Sequence, residues 1–312
     1  MSKTAALRVI AFPGAPNLPI FAASEHGFFE QAGVSVDLTV TPNSAFQFEK
    51  LAAGEFDIAM SAYDNIVAYS EGQGAVKVRD DFDVKVLMGA TQLELAFVTA
   101  PDVTQYEHLK GRTLALDALA TGFAFVLYDM LKSGGLGPDD YKMVPVGATP
   151  NRWQSVKEGQ HAGTLTIEPF TSIARAASFN VLDLSSRLYP SYQGGVVAAS
   201  NAWAHANADA VKGYIAGYLG GLAWTLDPQN REAASALLLA KMPEIKPGVV
   251  GAVMNSLLSP KSGLRPKAAI LRDGMKTVLD LRSRYGAAKK TLTDIDKYLE
   301  LSFYNVVAKT HG

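Results

Sequence analysis

Asp64, Asp117, Arg152 and Glu168 each fall just beyond a short apolar run and beside a candidate helix start, where a charged group can act on another molecule. Acids there can accept hydrogen bonds or protons, and a guanidinium can clamp a carboxylate or sulfonate. The same places carry aromatics (Phe12, Phe21, Tyr63, Phe123, Trp153, Phe170 and Tyr192), hydroxyls and amides (Asn17, Asn43, Ser44, Ser61, Thr91 and Thr121) and Gly122. This mixture suits the holding of a small ring-bearing or acidic molecule, because flat apolar walls supply burial while a few polar groups set orientation. Plainer roles compete. Asn43, Ser44 and Thr121 can be helix caps, and Phe12 and Phe21 can be core. The acids can be partners of helix dipoles, and Arg152 a surface cation.

Covalent and metal chemistry are poorly supplied. The chain has no cysteine, which excludes disulfides, thiolate ligands and Cys nucleophiles. His26, His108, His161, His205 and His311 show no ligand spacing. There is no P-loop, G-x-S-x-G, Rossmann glycine triplet or H-E-x-x-H. The sequence therefore predicts no catalytic residue, metal or cofactor.

The elements that position these residues follow a strand–helix grammar. Leu7 to Phe12, Val34 to Val40 and Phe56 to Met60 read as strands, separated by a helix from Pro19 to Glu25 and one capped by Ser44 and Gln47. The grammar returns after residue 96. Thr113 to Leu116, Met143 to Val146 and Gly163 to Ile167 read as strands, with helices from Thr121 and from Thr149-Pro150. Alternation of this kind predicts an α/β protein with two doubly wound lobes of mostly parallel sheet. In such sheets ligands lie beyond the carboxyl ends of the strands, where the residues above fall. From Asn207 onward the pattern is helical, and Val211 to Leu226 reads as a buried helix, too short to span a membrane.

Composition agrees with a soluble globular protein of two lobes. At 312 residues there is room for two cores, and 29 Lys+Arg against 30 Asp+Glu leave no net field toward nucleic acid or an anionic membrane. The basic stretch Arg282, Arg284, Lys289 and Lys290 reads as a solvated helix face. No apolar export segment precedes the first strand, so either a signal peptide has been removed or, if the N-terminus is native, the protein is cytoplasmic; the resemblance described next is what favours the periplasm.

The segment Leu18-Pro19-Ile20-Phe21-Ala22-Ala23-Ser24-Glu25-His26-Gly27-Phe28-Phe29-Glu30-Gln31-Ala32-Gly33-Val34 resembles the P-x-x-x-A-x-x-x-G-F-F-x-x-x-G opening of one solute-binding group. These are the nitrate/sulfonate/taurine and thiamine-precursor binding proteins of ABC transporters. Leu51 to Ala59 resembles their L-x-x-G-x-x-D motif, Leu109 to Ala115 their L-K-G-K motif, and Gly163 to Phe170 their strand ending in an acid, proline and aromatic. The resemblance implies a type II periplasmic-binding fold: lobe one from residues 1–95 and 196–312, lobe two from 96–195, and a ligand cleft between them. Crossovers are expected near Thr91 to Ala96 and Gln193 to Val197. It also implies a monomer that closes by hinge motion on a small-molecule ligand and delivers it to an ABC permease, with no nucleic acid and no membrane insertion. Two alternatives stay open: an enzyme on the same fold acting on a small aromatic or pyrimidine-like metabolite, and a sensor domain.

Overall fold

The computed structural model describes residues 4–310. The chain begins with β1 (Ala5–Ala11), α1 (Leu18–Glu25), α2 (Phe28–Gln31), β2 (Val34–Val40), α3 (Ser44–Ala52), β3 (Ile58–Ala62), α4 (Tyr63–Ser70) and β4 (Val84–Gly89). A middle portion follows: β5 (Ala96–Thr99), β6 (Thr113–Leu116), α5 (Gly122–Ser133), β7 (Lys142–Pro145), α6 (Thr149–Lys157), β8 (Gly163–Thr166), α7 (Phe170–Ala176) and β9 (Asn180–Leu184). The last third is β10 (Gly195–Ser200) and six helices: α8 (Asn201–Ala206), α9 (Ala208–Leu226), α10 (Arg231–Lys241), α11 (Pro247–Leu257), α12 (Arg272–Tyr285) and α13 (Ser302–Thr310).

Two five-stranded sheets result, ordered β2-β1-β3-β10-β4 and β7-β6-β8-β5-β9. β1 runs parallel to β2 and β3, and β6 parallel to β7 and β8, as βαβ connections require. The first strand made after each change of sheet is the antiparallel one: β5 against β8 and β9, and β10 against β3 and β4. The chain changes sheet between Gly89 and Ala96 and returns between Leu184 and Gly195. These two segments touch through an antiparallel bridge of Gln92 with Gln193.

Sequence pattern and structure differ in instructive places. β4, β5 and β10 carry no alternation of their own, because Val84, Val86, Val98 and Val197 sit within runs buried on both faces. Helix α3 is capped by Asn43, whose Oδ1 accepts the Phe46 N–H at 2.7 Å, and not by Ser44. Gln47 is turned inward instead: it donates to Ile10 O and Met60 O and accepts from Ser61 Oγ at 2.8 Å. α6 begins after Ala148, so Thr149 is its first residue and not its cap.

Helix α9 closes the first sheet by lying along α1 and α2. Its glycines permit this approach. A Cβ on Gly221 would stand 2.1 Å from Pro19 O, and one on Gly217 2.3 Å from the Phe29 ring. No side chain fits between these surfaces, so the helices pack in close contact.

Candidate functional site

The carboxyl ends of both sheets face one cavity, which encloses about 800 Å³ of empty space including its mouth. Each wall follows from strand direction. Phe12 succeeds β1, Met60, Ser61 and Ala62 end β3, and Ala90 and Thr91 follow β4. Because β10 is antiparallel, its first residues Gly195 and Val196 reach the same edge, paired with Ala62 and Ser61. From the second sheet come Asp117 after β6, the α5 start Thr121, Gly122 and Phe123, the α6 residues Thr149 and Arg152, and Ile167 after β8. Gly14, Pro16, Asn17, Asn65 and Leu93 complete the lining.

Most polar atoms in this lining are tied to the protein itself. Asn17 donates to Phe12 O (2.8 Å), Asn65 to Ser61 Oγ (3.2 Å) and Thr121 to Ala118 O (3.2 Å), while Thr91 Oγ1 accepts the Gly195 N–H (3.0 Å). Two lining residues carry charge. Asp117 accepts the Ser44 N–H at 3.2 Å, joining the second sheet to the N-terminus of α3. Arg152 is 2% exposed and donates only to neutral oxygens: Gly147 O (2.7 Å), Thr149 Oγ1 (3.0 Å), Leu165 O (3.1 Å) and Thr164 Oγ1 (3.1 Å). Burial lowers its pKa to about 10, with Asp117 opposing the shift. Direct contacts between residues on either side of the cavity also close its rim, as Ala15 N–H donates to Glu168 O at 3.0 Å and Ala148 N–H to Pro42 O at 2.9 Å.

The structure thus gathers Phe12, Asn17, Ser61, Thr91, Asp117, Thr121, Gly122, Phe123 and Arg152 around one space. Other nominated residues lie elsewhere, for identifiable reasons. Trp153 neighbours Arg152 on α6, but successive helical side chains point about 100° apart, and Trp153 turns with Phe170 onto Val98 and Ala174 in a separate small core. Phe21 packs against the core on the α9 side, and Asn43 serves as the α3 cap. Ser44 meets the cavity's Asp117 only through its backbone; its buried hydroxyl has no partner. Glu168 faces a different, polar cleft between α7 and α11, where Ser172 donates to it, and burial raises its pKa.

Tyr63, Asp64 and Tyr192 form a buried layer behind the lining. Tyr63 lies edge-on to Tyr298. The Asp64 carboxylate receives a two-pronged grip from Arg282, at 2.7 and 2.6 Å, with both side chains essentially unexposed. Arg282 also donates to Ala120 O and lies over the Phe125 ring, so this residue is a buried tie between α4 and α5 and not part of a solvated face. A Cβ on Gly122 would stand 2.6 Å from the Asp64 Cβ and 2.9 Å from the Tyr192 hydroxyl, which is why that position is glycine.

The walls that residue type did not single out are apolar: Met60, Ala62, Ala90, Leu93, Ile167 and Val196. Their position at strand ends was the available signal for Met60 and Ile167. Among the described residues no group of three or more His, Asp or Glu side chains is placed to hold a metal ion. Nor, among those residues, is any helix long and apolar enough to cross a membrane.

The profile of the NMT1-like family matches residues 2–239. No curated protein matches the sequence. Solved structures resemble it over nearly their whole length. The ligand-binding component of an ABC-type import system from Staphylococcus aureus, with zinc bound, gives a TM-score of 0.75 at 11% identity over 96% of this chain and 98% of that one. The alkanesulfonate-binding protein SsuA from Xanthomonas axonopodis pv. citri, bound to MOPS, gives 0.73 at 16% over 96% and 97%. The desulfurization enzyme DszB gives 0.66 at 14% over 99% and 100%. At such identities the likeness establishes the fold: the two mostly parallel sheets are those of the periplasmic-binding-protein fold.

Proposed function

We propose, for a chain that belongs to the NMT1-like family, that the central cavity binds one small organic solute and presents it to the permease of an ABC importer. The observation that carries this reading is the cavity itself, with apolar walls, a few fixed polar groups and contributions from the carboxyl ends of both sheets. Its charged residues, Asp117 and Arg152, are engaged in hydrogen bonds with the protein and form no nucleophile–base pair. The binding components of known structure that share the fold support the same reading. In this proposal residues 1–95 with 196–312 form one lobe and 96–195 the other. The two sheet-changing segments act as hinge, Phe12 and Phe123 flank a ring-bearing solute, and the site of action is the periplasm.

A thermal-shift screen of aromatic carboxylates, sulfonates and pyrimidines tests it. A ligand held at a hundred times its Kd adds about 2.7 kcal/mol to native stability, which raises Tm by roughly 4 °C in a chain of this size. Because a fold relative is an enzyme, each hit is also incubated with protein for hours and analysed by mass spectrometry. Intact ligand is expected. Turnover, or a panel without a single stabilising compound, would overturn the proposal.

A further inference from the structure

The cavity holds its own anion. Helix N-termini attract oxyanions because their first N–H groups lack partners within the helix. At α3 that place is taken by the Asp117 carboxylate, which reaches across from the second sheet to the Ser44 N–H at 3.2 Å. The Ser44 hydroxyl beside it is buried, 2% exposed, and has no hydrogen-bond partner, so a further donor stands at this helix end. On the other side, the Arg152 guanidinium has four of its five N–H groups committed to neutral oxygens. Asp117 and Arg152 are the charged residues of the lining, and their formal charges cancel.

Resting on the reading of this cavity as a solute site, we infer that Asp117 determines specificity by charge: a tethered carboxylate fills the oxyanion position and excludes anionic solutes from the cavity. A free oxyanion would have to displace Asp117 from α3 or sit beside it. Both alternatives are costly: the first strips a carboxylate of a backbone donor in a recess, and the second sets two like charges together in a partly buried space. An uncharged molecule meets neither penalty. It lies against Phe12, Phe123, Met60 and Ile167 and can donate a hydrogen bond to a free lone pair of Asp117.

The test uses Asp117→Ala, which empties the α3 position, with sodium sulfate and sodium methanesulfonate as probes against sodium chloride at matched ionic strength. Dimethyl sulfone serves as the uncharged counterpart of methanesulfonate. Calorimetry and the Ser44 amide resonance are the readouts. Wild type is expected to show no saturable oxyanion binding and no Ser44 shift. Asp117→Ala should bind sulfate or methanesulfonate at least about tenfold more tightly and move the Ser44 amide. Asp117→Asn, which keeps the shape and loses the charge, should gain in the same direction and serves if the alanine variant does not fold. Saturable oxyanion binding by wild type at Ser44, or no gain in a folded Asp117 variant, overturns the inference. The broader reading fails separately, if no compound of any charge stabilises wild type while the variant still gains sulfate.

Discussion

Arg152→Ala separates a ligand clamp from a structural strut. Viewed only as a cation near a cleft, Arg152 would be expected to affect binding and leave the apo protein's melting temperature almost unmoved. Its surroundings predict otherwise. Its guanidinium makes four hydrogen bonds that tie α6 to β8 and to the Gly147 turn. Bonds from a charged donor contribute about 1.5–3 kcal/mol each. Against them stands the cost of burying the charge, since a pKa displaced from 12.5 to about 10 corresponds to roughly 3 kcal/mol. The balance leaves a net loss of about 3 kcal/mol or more on truncation, before any cavity term. At about 1.5 °C per kcal/mol for a chain of this length unfolding as a unit, apo Tm should fall by roughly 4 °C or more. Arg152→Lys should recover only part of this, because a compact ammonium cannot span four acceptors arranged for a planar fork. Differential scanning calorimetry on ligand-free wild type and both variants is the measurement. An apo Tm for Arg152→Ala within about 1 °C of wild type would refute the strut and return Arg152 to the role of an expendable clamp.

Two further outcomes can be checked on the same instrument. Breaking the buried pair by Arg282→Met should cost about 3–5 kcal/mol because it strands the Asp64 carboxylate; adding Asp64→Asn should restore part of that, and ligand affinity should hold throughout, since neither residue lines the cavity. Asp129 of α5 tests the pH dependence: burial works to raise its pKa, but hydrogen bonds from Arg284, Tyr189 and Tyr285 outweigh it and hold the group below its ordinary value. Such a group stabilises the fold above the unfolded carboxylate pKa, near 4, and loses that contribution as pH falls through the depressed folded value. The Tm gap between wild type and Asp129→Asn should therefore be largest at neutral pH and shrink below about pH 4; a gap constant from pH 3 to 7 would contradict the assignment.

Strand and helix order was readable where a strand ends in a turn with its own punctuation. Val34 to Val40 and Thr113 to Leu116 were legible because apolar residues are followed by Pro42 and Asn43 in one case and by Asp117 in the other. The strands that exchange sheets were not. β10 is Gly195–Ser200, a run of small apolar residues that reads equally as helix, and only pairing with β3 and β4 makes it a strand. The antiparallel direction of β10 is in turn what brings Gly195 and Val196 to the cavity. The rule that ligands gather beyond strand carboxyl ends leads to the edge of each sheet that faces the cavity, but an edge has two sides. Trp153, Phe170 and Tyr63 sit at the right places along the chain with side chains turned into cores, a choice made by neighbours that are distant in sequence.

Helix α12 shows the same limit from the side of charge. Arg282 and Arg284, two residues apart, have the look of a wet basic face, yet one is sealed against Asp64 and Phe125 and the other reaches Asp129. Both anchors belong to segments that precede α12 by about half the chain or more, so no local pattern could announce them. Their placement has a consequence for motion. The same helix begins beside the sheet-changing segment, where Leu271 N–H donates to Gln193 Oε1 at 2.7 Å and a Cβ on Gly274 would stand 2.5 Å from Gln193 N. A tie between α4 and α5 set this close to the crossing strands can persist while the far rim, held by Ala15 with Glu168 and by Pro42 with Ala148, comes apart. Rotation about an axis near Gln193 separates distant points most and adjacent ones least. Under the hinge motion proposed above, Arg282 and Asp64 are therefore expected to stay buried, which is the condition under which a charged pair can remain without water.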